Sequence, residues 1–330
     1  MKINQALHIF NPTILREYDI RGLVGNTLTE ADAFAIGCAF GTKIRRLPNT
    51  KNHVCIAYDG RESSPIFADR LIAGLLSTGC DVEDLGLGPT PMLYFGVKDR
   101  KADGGIMITG SHNPAEYNGF KMTLQDSSVF GEAVQELGRI AAAGDFEQGS
   151  GVLTAPDIKD EYVARLLKDL NPLPANRPPL NIVWDNGNGA AGEILRRLTA
   201  KLPGKHILLY DEIDGNFPNH HPDPTVDKNL IDLKCSVLDS NYDLGIAFDG
   251  DGDRIGVVDE KGNVLRCDSL MTIYAKDVLS RNPGAPIIGD VKCSQVMFDE
   301  ITRLGGKAIM WNTGHSLVKA KMVAENAPLA

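Results

Sequence analysis

His53-Val-Cys-Ile-Ala-Tyr58, followed at once by Asp59-Gly-Arg61, is the stretch on which the fold turns. An uncharged run rich in β-branched and aromatic residues reads as a strand covered on both faces, the kind that parallel sheets use. The switch to Asp-Gly-Arg ends it in a polar loop. Working outward, a helix is expected from about Ser64 to Thr78, then a strand over Gly105 to Thr109 that runs into a second polar loop, Gly110-Ser-His-Asn-Pro114. Strand, helix and strand in succession indicate an α/β class, and loops at the carboxyl ends of such strands are where these folds bind ligands. Ile56-Ala-Tyr-Asp-Gly60 is echoed by Ile246-Ala-Phe-Asp-Gly250 and more loosely by Ile182-Val-Trp-Asp185, which fits α/β units repeated on one plan.

The chain has 330 residues, enough for more than one core, and its 43% hydrophobic and 23% charged composition is that of an ordinary globular protein. Lys plus Arg number 34 against 43 Asp plus Glu, a balance of -9. General attraction to nucleic acid or anionic lipid is therefore not expected, and any bound anion must meet a local cationic site. The six cysteines, Cys38, Cys55, Cys80, Cys235, Cys267 and Cys293, form no CxxC pair and read as reduced thiols. Met1 to Phe10 lacks the features of a leader, and no run approaches the roughly 18 apolar residues of a membrane span, so a cytoplasmic location is expected.

The Gly144 to Gly151 stretch marks a first boundary. Asn171 to Pro179, with four prolines in nine residues, reads as a rigid entry to the strand Leu180 to Trp184. A third unit starts near Gly262, after the strand Gly256 to Asp259, with a helix over Ser269 to Leu279, strands over Pro286 to Val291 and Lys307 to Trp311, and a helix from about Ser316. The expected domains are 1–150, 151–261 and 262–330.

Asp249-Gly-Asp-Gly-Asp-Arg254 follows the apolar Leu244 to Phe248. Alternating carboxylates spaced by glycines can converge on one hard cation such as Mg²⁺, whereas without a cation they repel one another unless solvated. Asp249, Asp251, Asp253 and Glu260 fall where an EF-hand has its first, third, fifth and last ligands, but Arg254 stands where that loop needs glycine and the flanks read as strands, so an EF-hand is rejected. Ser111 could be a nucleophile or phosphate carrier, with His112 and Lys121 supplying proton transfer or charge. A serine loop and a metal loop together suit phosphoryl transfer. Gly187-Asn-Gly-Ala-Ala-Gly192, after a strand and about twenty residues before Asp211, matches a dinucleotide fingerprint. Asp185 just ahead of it would repel a pyrophosphate, and the glycines could serve only close packing. Tyr18-Asp-Ile-Arg21, Lys292 and Thr313-Gly-His315 lie at strand ends or in loops and are candidate contacts for a phosphorylated ligand. No Walker A sequence occurs.

Together these segments resemble the α-D-phosphohexomutases, most closely the bacterial phosphomannomutase/phosphoglucomutase group. The resemblance rests on Tyr18-Asp-Ile-Arg-Gly22, Thr109-Gly-Ser-His-Asn-Pro114 with Tyr117-Asn-Gly-Phe-Lys121, Phe217-Pro-Asn-His-His-Pro-Asp-Pro224, Asp249 to Arg254, Asp290-Val-Lys-Cys293 and Thr313-Gly-His-Ser316, in the family's order. It implies consecutive three-layer α/β/α domains with mixed, mainly parallel sheets around a central cleft, and a monomer or weak dimer. It also implies that Ser111 carries the phosphoryl group and that Asp249, Asp251, Asp253 and the phosphoserine hold Mg²⁺. Lys121 and His315 would then be the acid/base pair, Arg254 would stabilise transferring charge, and Tyr18, Arg21, Lys292 and His315 would hold a phosphorylated hexose. A hexose 1,6-bisphosphate is the implied intermediate.

The family continues past Thr313-Gly-His-Ser316 to a sugar-recognition loop and a fourth domain, so a partial chain is expected where this sequence stops at Ala330. Two rival readings remain: a nicotinamide-dependent oxidoreductase using residues 187–192, and a non-catalytic cation-binding module.

Overall fold

In a computed structural model, residues 7–125, 127–170 and 177–330 are described. The first six residues and most of the proline-rich segment therefore lie outside the described residues. Chain contacts divide the molecule into two units, one formed by the chain up to Gln125 and from Val129 to Asn263, the other chiefly by Val264 to Ala330.

The first sheet holds β1 (Ile20–Leu23), β2 (His53–Tyr58), β3 (Asp81–Leu87), β4 (Gly104–Ile108), β5 (Tyr117–Leu124) and β6 (Leu153–Thr154), in the order β1-β5-β4-β2-β3-β6. Strand β2 is parallel to β3 and β4, while β5 returns antiparallel to β4 and carries β1 beside it. Around it lie α1 (Glu30–Arg46), α2 (Ser64–Ser77), α3 (Thr90–Asp99), α4 (Glu132–Ala143) and α5 (Lys159–Leu167). The unbroken apolar run of β2 has a direct cause. Val54 and Ile56 join one core with residues of α1, α2 and α4, whereas Cys55 and Ala57 point the other way into a core with Met92, Leu93 and Val97 of α3. A strand buried on both faces has no position for a polar residue until it ends, and each large aliphatic side chain so buried contributes about 1.5–3 kcal/mol.

The second sheet of this unit is built from β7 (Ile182–Asp185), β8 (His206–Leu209), β9 (Leu244–Phe248) and β10 (Ile255–Asp259), ordered β10-β9-β7-β8, with α6 (Gly192–Thr199) and α7 (Ile231–Ser240). Strand β7 is parallel to β8 and β9, and β10 folds back antiparallel on β9. Ile194 of α6 enters the same core as α3 and α5, so the two sheets share apolar packing.

The second unit begins with the short β11 (Val264–Leu265) and α8 (Cys267–Arg281). Strands β12 (Pro286–Asp290) and β13 (Lys307–Trp311) pair in parallel, joined by α9 (Gln295–Arg303) and followed by α10 (His315–Glu325). Its core gathers Ala275 and Leu279 with Ile287, Met297, Phe298 and Ile301. The α/β class, the expected strands and the mixed, mainly parallel sheets are all present, with ends displaced by at most two residues where Leu180 to Trp184 becomes Ile182–Asp185.

Candidate active site

The three echoed segments do end strands, and each closes on an aspartate that is almost wholly buried: Asp59, Asp185 and Asp249. Asp59 and Asp185 each accept the amide two residues on, from Arg61 at 3.2 Å and Gly187 at 3.0 Å, which turns the chain sharply off the sheet. Asp290 in the second unit does the same with the Lys292 amide at 2.8 Å. In Asp249 the device is enlarged, because Oδ1 accepts both the Asp253 and the Arg254 amides at 3.0 Å and curls the whole acidic loop around itself.

That loop and the serine loop converge. The Ser111 hydroxyl, 2% exposed, donates to Asp249 Oδ2 at 3.0 Å and lies 3.2 Å from His112 Nδ1. Carboxylate oxygens of Asp249, Asp251 and Asp253 all lie within 4.8 Å of one another. Burial, and then the charges of Asp251 and Asp253, push the Asp249 carboxyl well above the ordinary carboxylate range. For Asp251 burial acts in the same sense, but the Lys121 ammonium outweighs it and holds that carboxyl low. Lys121 reaches back from β5 to Asp251 and to Asp253, both at 2.6 Å, and despite its burial the two carboxylates keep it charged well above the usual lysine range. Arg254 stands 3.8 Å from Asp249 on the open side. Burial, then Arg254 and, further on, Arg21 and Lys121, lower His112 to about 4 against the opposing Asp223, so its imidazole is neutral near pH 7.

Ser111, His112, Lys121, Arg254 and the three aspartates thus form one cluster. Arg21, paired with Asp19, sits on β1 one strand from Lys121, and the half-buried Tyr18 lies two residues before that strand. Lys292 and His315 belong to the second unit. There Asp290 accepts both the Lys292 amide and the Thr313 hydroxyl, each at 2.8 Å, so the two loops meet at the ends of β12 and β13.

Several residues of the cluster had no role in the sequence reading. Asp59 accepts Ser64, Thr109 and the Gly110 amide at 2.6–3.1 Å and anchors the start of the serine loop. Thr90, the first residue of α3, donates to the same Asp251 oxygen as Lys121. Tyr94, on that helix, is pushed to about 12, chiefly by burial. The echo of Asp59 with Asp249 was the available signal, since two alike strand ends deserve alike scrutiny.

The glycine run at 187–192 is not a dinucleotide cradle. A Cβ on Gly189 would meet the Gly250 and Asp249 carbonyls at 2.9 and 3.1 Å, and one on Gly192 the Asp211 carbonyl at 2.0 Å. Ala190 donates to Gly250 at 2.8 Å, and Asp185 already caps the turn. The glycines seat this turn against the acidic loop, so the oxidoreductase reading fails where a pyrophosphate would have to enter. A second cluster of metal-ligating types, His53, Cys55 and Glu83, is explained without an ion. Glu83 pairs with His53 at 3.0 Å and Arg100 at 3.5 Å, while burial and then Glu83 push the Cys55 thiol to about 12, leaving it neutral. All six cysteines are free, and among the described residues no helix is long and apolar enough to cross a membrane.

The comparisons with known proteins agree with this geometry. Residues 12–148, 160–262 and 266–330 match, in order, the phosphoglucomutase/phosphomannomutase alpha/beta/alpha domains I, II and III. The phosphomannomutase/phosphoglucomutase of Pseudomonas aeruginosa strain PAO1 is 45% identical over 318 residues, 96% of this chain and 67% of that protein. The phosphomannomutase of Escherichia coli K12 is 35% identical over 96% of this chain and 70% of its own length. A crystal structure of a phosphoglucomutase/phosphomannomutase family protein from Burkholderia thailandensis superposes with a TM-score of 0.92 at 42% identity, covering 97% of this chain and 70% of that one. With a buried serine set on an aspartate trio and all three domain matches in sequence, the chain belongs to the phosphoglucomutase/phosphomannomutase family of α-D-phosphohexomutases.

Proposed function

We propose that the protein is a Mg²⁺-dependent phosphohexomutase that interconverts the 1- and 6-phosphates of mannose or glucose through a phosphoserine at Ser111. The observation that carries this reading is the 3.0 Å contact between the Ser111 hydroxyl and Asp249, inside a trio of aspartates. The residues fit a divalent cation on a separate ground: Asp251 Oδ1 is buried and, among the described residues, has no hydrogen-bond partner. A bare carboxylate oxygen out of water is costly, and a hard cation would satisfy it. Asp249, Asp251, Asp253 and the Ser111 oxygen would hold Mg²⁺, which when bound neutralises charge on a phosphoryl group in transfer.

The chain's own residues then divide the work. A sugar hydroxyl oxygen bonds to the phosphorus on Ser111, the bond from phosphorus to the serine oxygen breaks, and the hydroxyl proton passes to a base. In the second half the other phosphoryl of the resulting hexose 1,6-bisphosphate returns to Ser111, which leaves the isomeric monophosphate. Lys121, held charged, serves as proton donor, and His315 is its assigned partner. Neutral His112 steadies the serine oxygen, Arg254 offsets charge in flight, and Tyr18, Arg21, Lys292 and His315 grip the sugar phosphate. We assign the domains to 1–150, 151–261 and 262–330, and the protein to the cytoplasm as a monomer or weak dimer without nucleic-acid or membrane partners.

The test offers the purified protein mannose 1-phosphate with Mg²⁺ and a trace of hexose 1,6-bisphosphate. The expected result is mannose 6-phosphate in a coupled assay and one phosphoryl group by intact mass, both lost in Ser111→Ala. Neither product nor phosphorylation, or activity undiminished by Ser111→Ala, would overturn the proposal.

A further inference from the structure

Among the described residues Arg61 is the largest wholly buried side chain, and it carries a charge. Its guanidinium has five N–H donors, and all five are used. Nε donates to Asp59 at 3.1 Å, one terminal nitrogen donates to the Pro114 and Tyr117 carbonyls at 2.5 and 2.9 Å, and the other donates to the Ser111 and Asn113 carbonyls at 2.9 and 2.7 Å. Three of these acceptors belong to the serine loop, and Tyr117, just beyond it, opens β5. Asp59 neutralises the guanidinium, so no donor is left to hold a substrate phosphate.

The conformation that this grip maintains is strained. Ser111 has φ +52°, in the left-handed region. Non-glycine residues there cost on the order of 1–3 kcal/mol and persist only when their surroundings over-determine them. The guanidinium is packed closely by Gly110 and by the Phe217 ring. A Cβ on Gly110 would sit 2.3 Å from Arg61 Cζ, and the Phe217 ring covers the guanidinium at 5.3 Å from its centroid. Phe217 lies in the segment between β8 and α7, which also places Pro222 within 3.4 Å of a Cβ built on Gly250 in the acidic loop. One stretch of chain therefore backs both the residue that grips the serine loop and the loop that receives the serine.

We propose that Arg61, capped by Phe217, is a positioning residue that holds Ser111 in its left-handed conformation and so fixes the serine oxygen against Asp249 for phosphoryl transfer. This rests on the reading of Ser111 as phosphoryl carrier. Lysine at the same place keeps the charge opposite Asp59 but cannot span four carbonyls, because it lacks the planar fork. A displacement of about 1 Å at a reacting atom can cost about 100-fold in rate.

The experiment compares the wild type with Arg61→Lys and Phe217→Leu in three measurements: hydrogen exchange of the 109–118 amides, the rate of Ser111 phosphorylation by hexose 1,6-bisphosphate across its concentration range, and Mg²⁺ affinity by calorimetry. For Arg61→Lys the expected results are at least about tenfold faster exchange in the loop, a saturating rate lowered about 100-fold, and half-saturation and Mg²⁺ affinity within about twofold. Phe217→Leu is expected to move exchange and saturating rate in the same direction by less. Unchanged loop exchange, or a loss confined to half-saturation, overturns the proposal. If Arg61→Lys does not fold, Phe217→Leu decides on the same criteria. A wild type that takes no phosphoryl group defeats the functional reading instead, and loop exchange still judges the grip of Arg61.

Discussion

The two loops that meet at the site are both hairpin connections, and they are secured in opposite ways. The acidic loop joins β9 to β10, which close in register at Phe248 and Ile255, and the serine loop joins β4 to β5, whose nearest paired residues are Ile108 and Phe120. The acidic loop ties itself with its own first residue, Asp249, bonded to the amides of Asp253 and Arg254. The serine loop is longer and draws on residues some fifty positions earlier, with Asp59 at its entrance and Arg61 beneath its carbonyls. A short loop with a carboxylate at its head can specify its own shape, whereas a longer one that presents a strained serine needs an outside scaffold.

Three substitutions would break or sharpen that contrast. The largest effect is expected for Asp59→Asn, which leaves the Arg61 charge buried without its counter-ion. Breaking a fully buried pair in this way costs about 3–5 kcal/mol, measurable by denaturant unfolding. Mg²⁺ affinity of the folded protein is expected to stay within about twofold, and a large loss there would mean the loops are not held independently. Asp251→Asn works on the other side. It weakens the trio where a bare oxygen awaits a cation, so Mg²⁺ affinity measured by calorimetry is expected to fall at least about 100-fold. Exchange of the 109–118 amides is expected to remain as in the wild type, and unchanged affinity would remove the trio from the metal site.

The smallest effect concerns His220, whose Nε2–H donates to the buried Asp185 carboxylate, 3.0 Å from each oxygen, beneath the turn that seats the acidic loop. Burial lowers its affinity for a proton, but Asp185 outweighs burial and raises it overall. A raised histidine contributes stability in full below its unfolded value, about 6.5, and loses it as pH rises through the higher folded value. Urea midpoints of the wild type are therefore expected to decline from pH 6 toward pH 8 more than those of His220→Gln. Parallel declines would show that the pair does not titrate in this range.

Much of the site was legible because its chemistry is written in short words. Asp249 to Arg254 displays its carboxylates at alternate positions, and Ser111 follows an apolar strand, so both loops could be found from spacing alone. Arg61 was visible only as part of a polar strand end. Nothing local distinguishes an arginine that will be buried under four carbonyls from one that will face water, because those carbonyls lie 50 to 56 positions away. Thr90 was invisible for the same reason, since its acceptor is 161 residues distant. The glycine run shows the converse failure. It satisfies a dinucleotide pattern letter for letter, yet the space that pattern requires is filled by the backbone of the acidic loop.

By itself, the sequence determined the alternation of strands and helices, the strand-end aspartates and the family to which the chain belongs, because apolar periodicity and short polar words act over a few residues. Only the tertiary structure decided that Ser111 rests on Asp249 across 138 positions, that Lys121 bridges Asp251 and Asp253, and that Arg61 turns inward. Those contacts depend on how two sheets pack through a shared core, and no short segment carries that information.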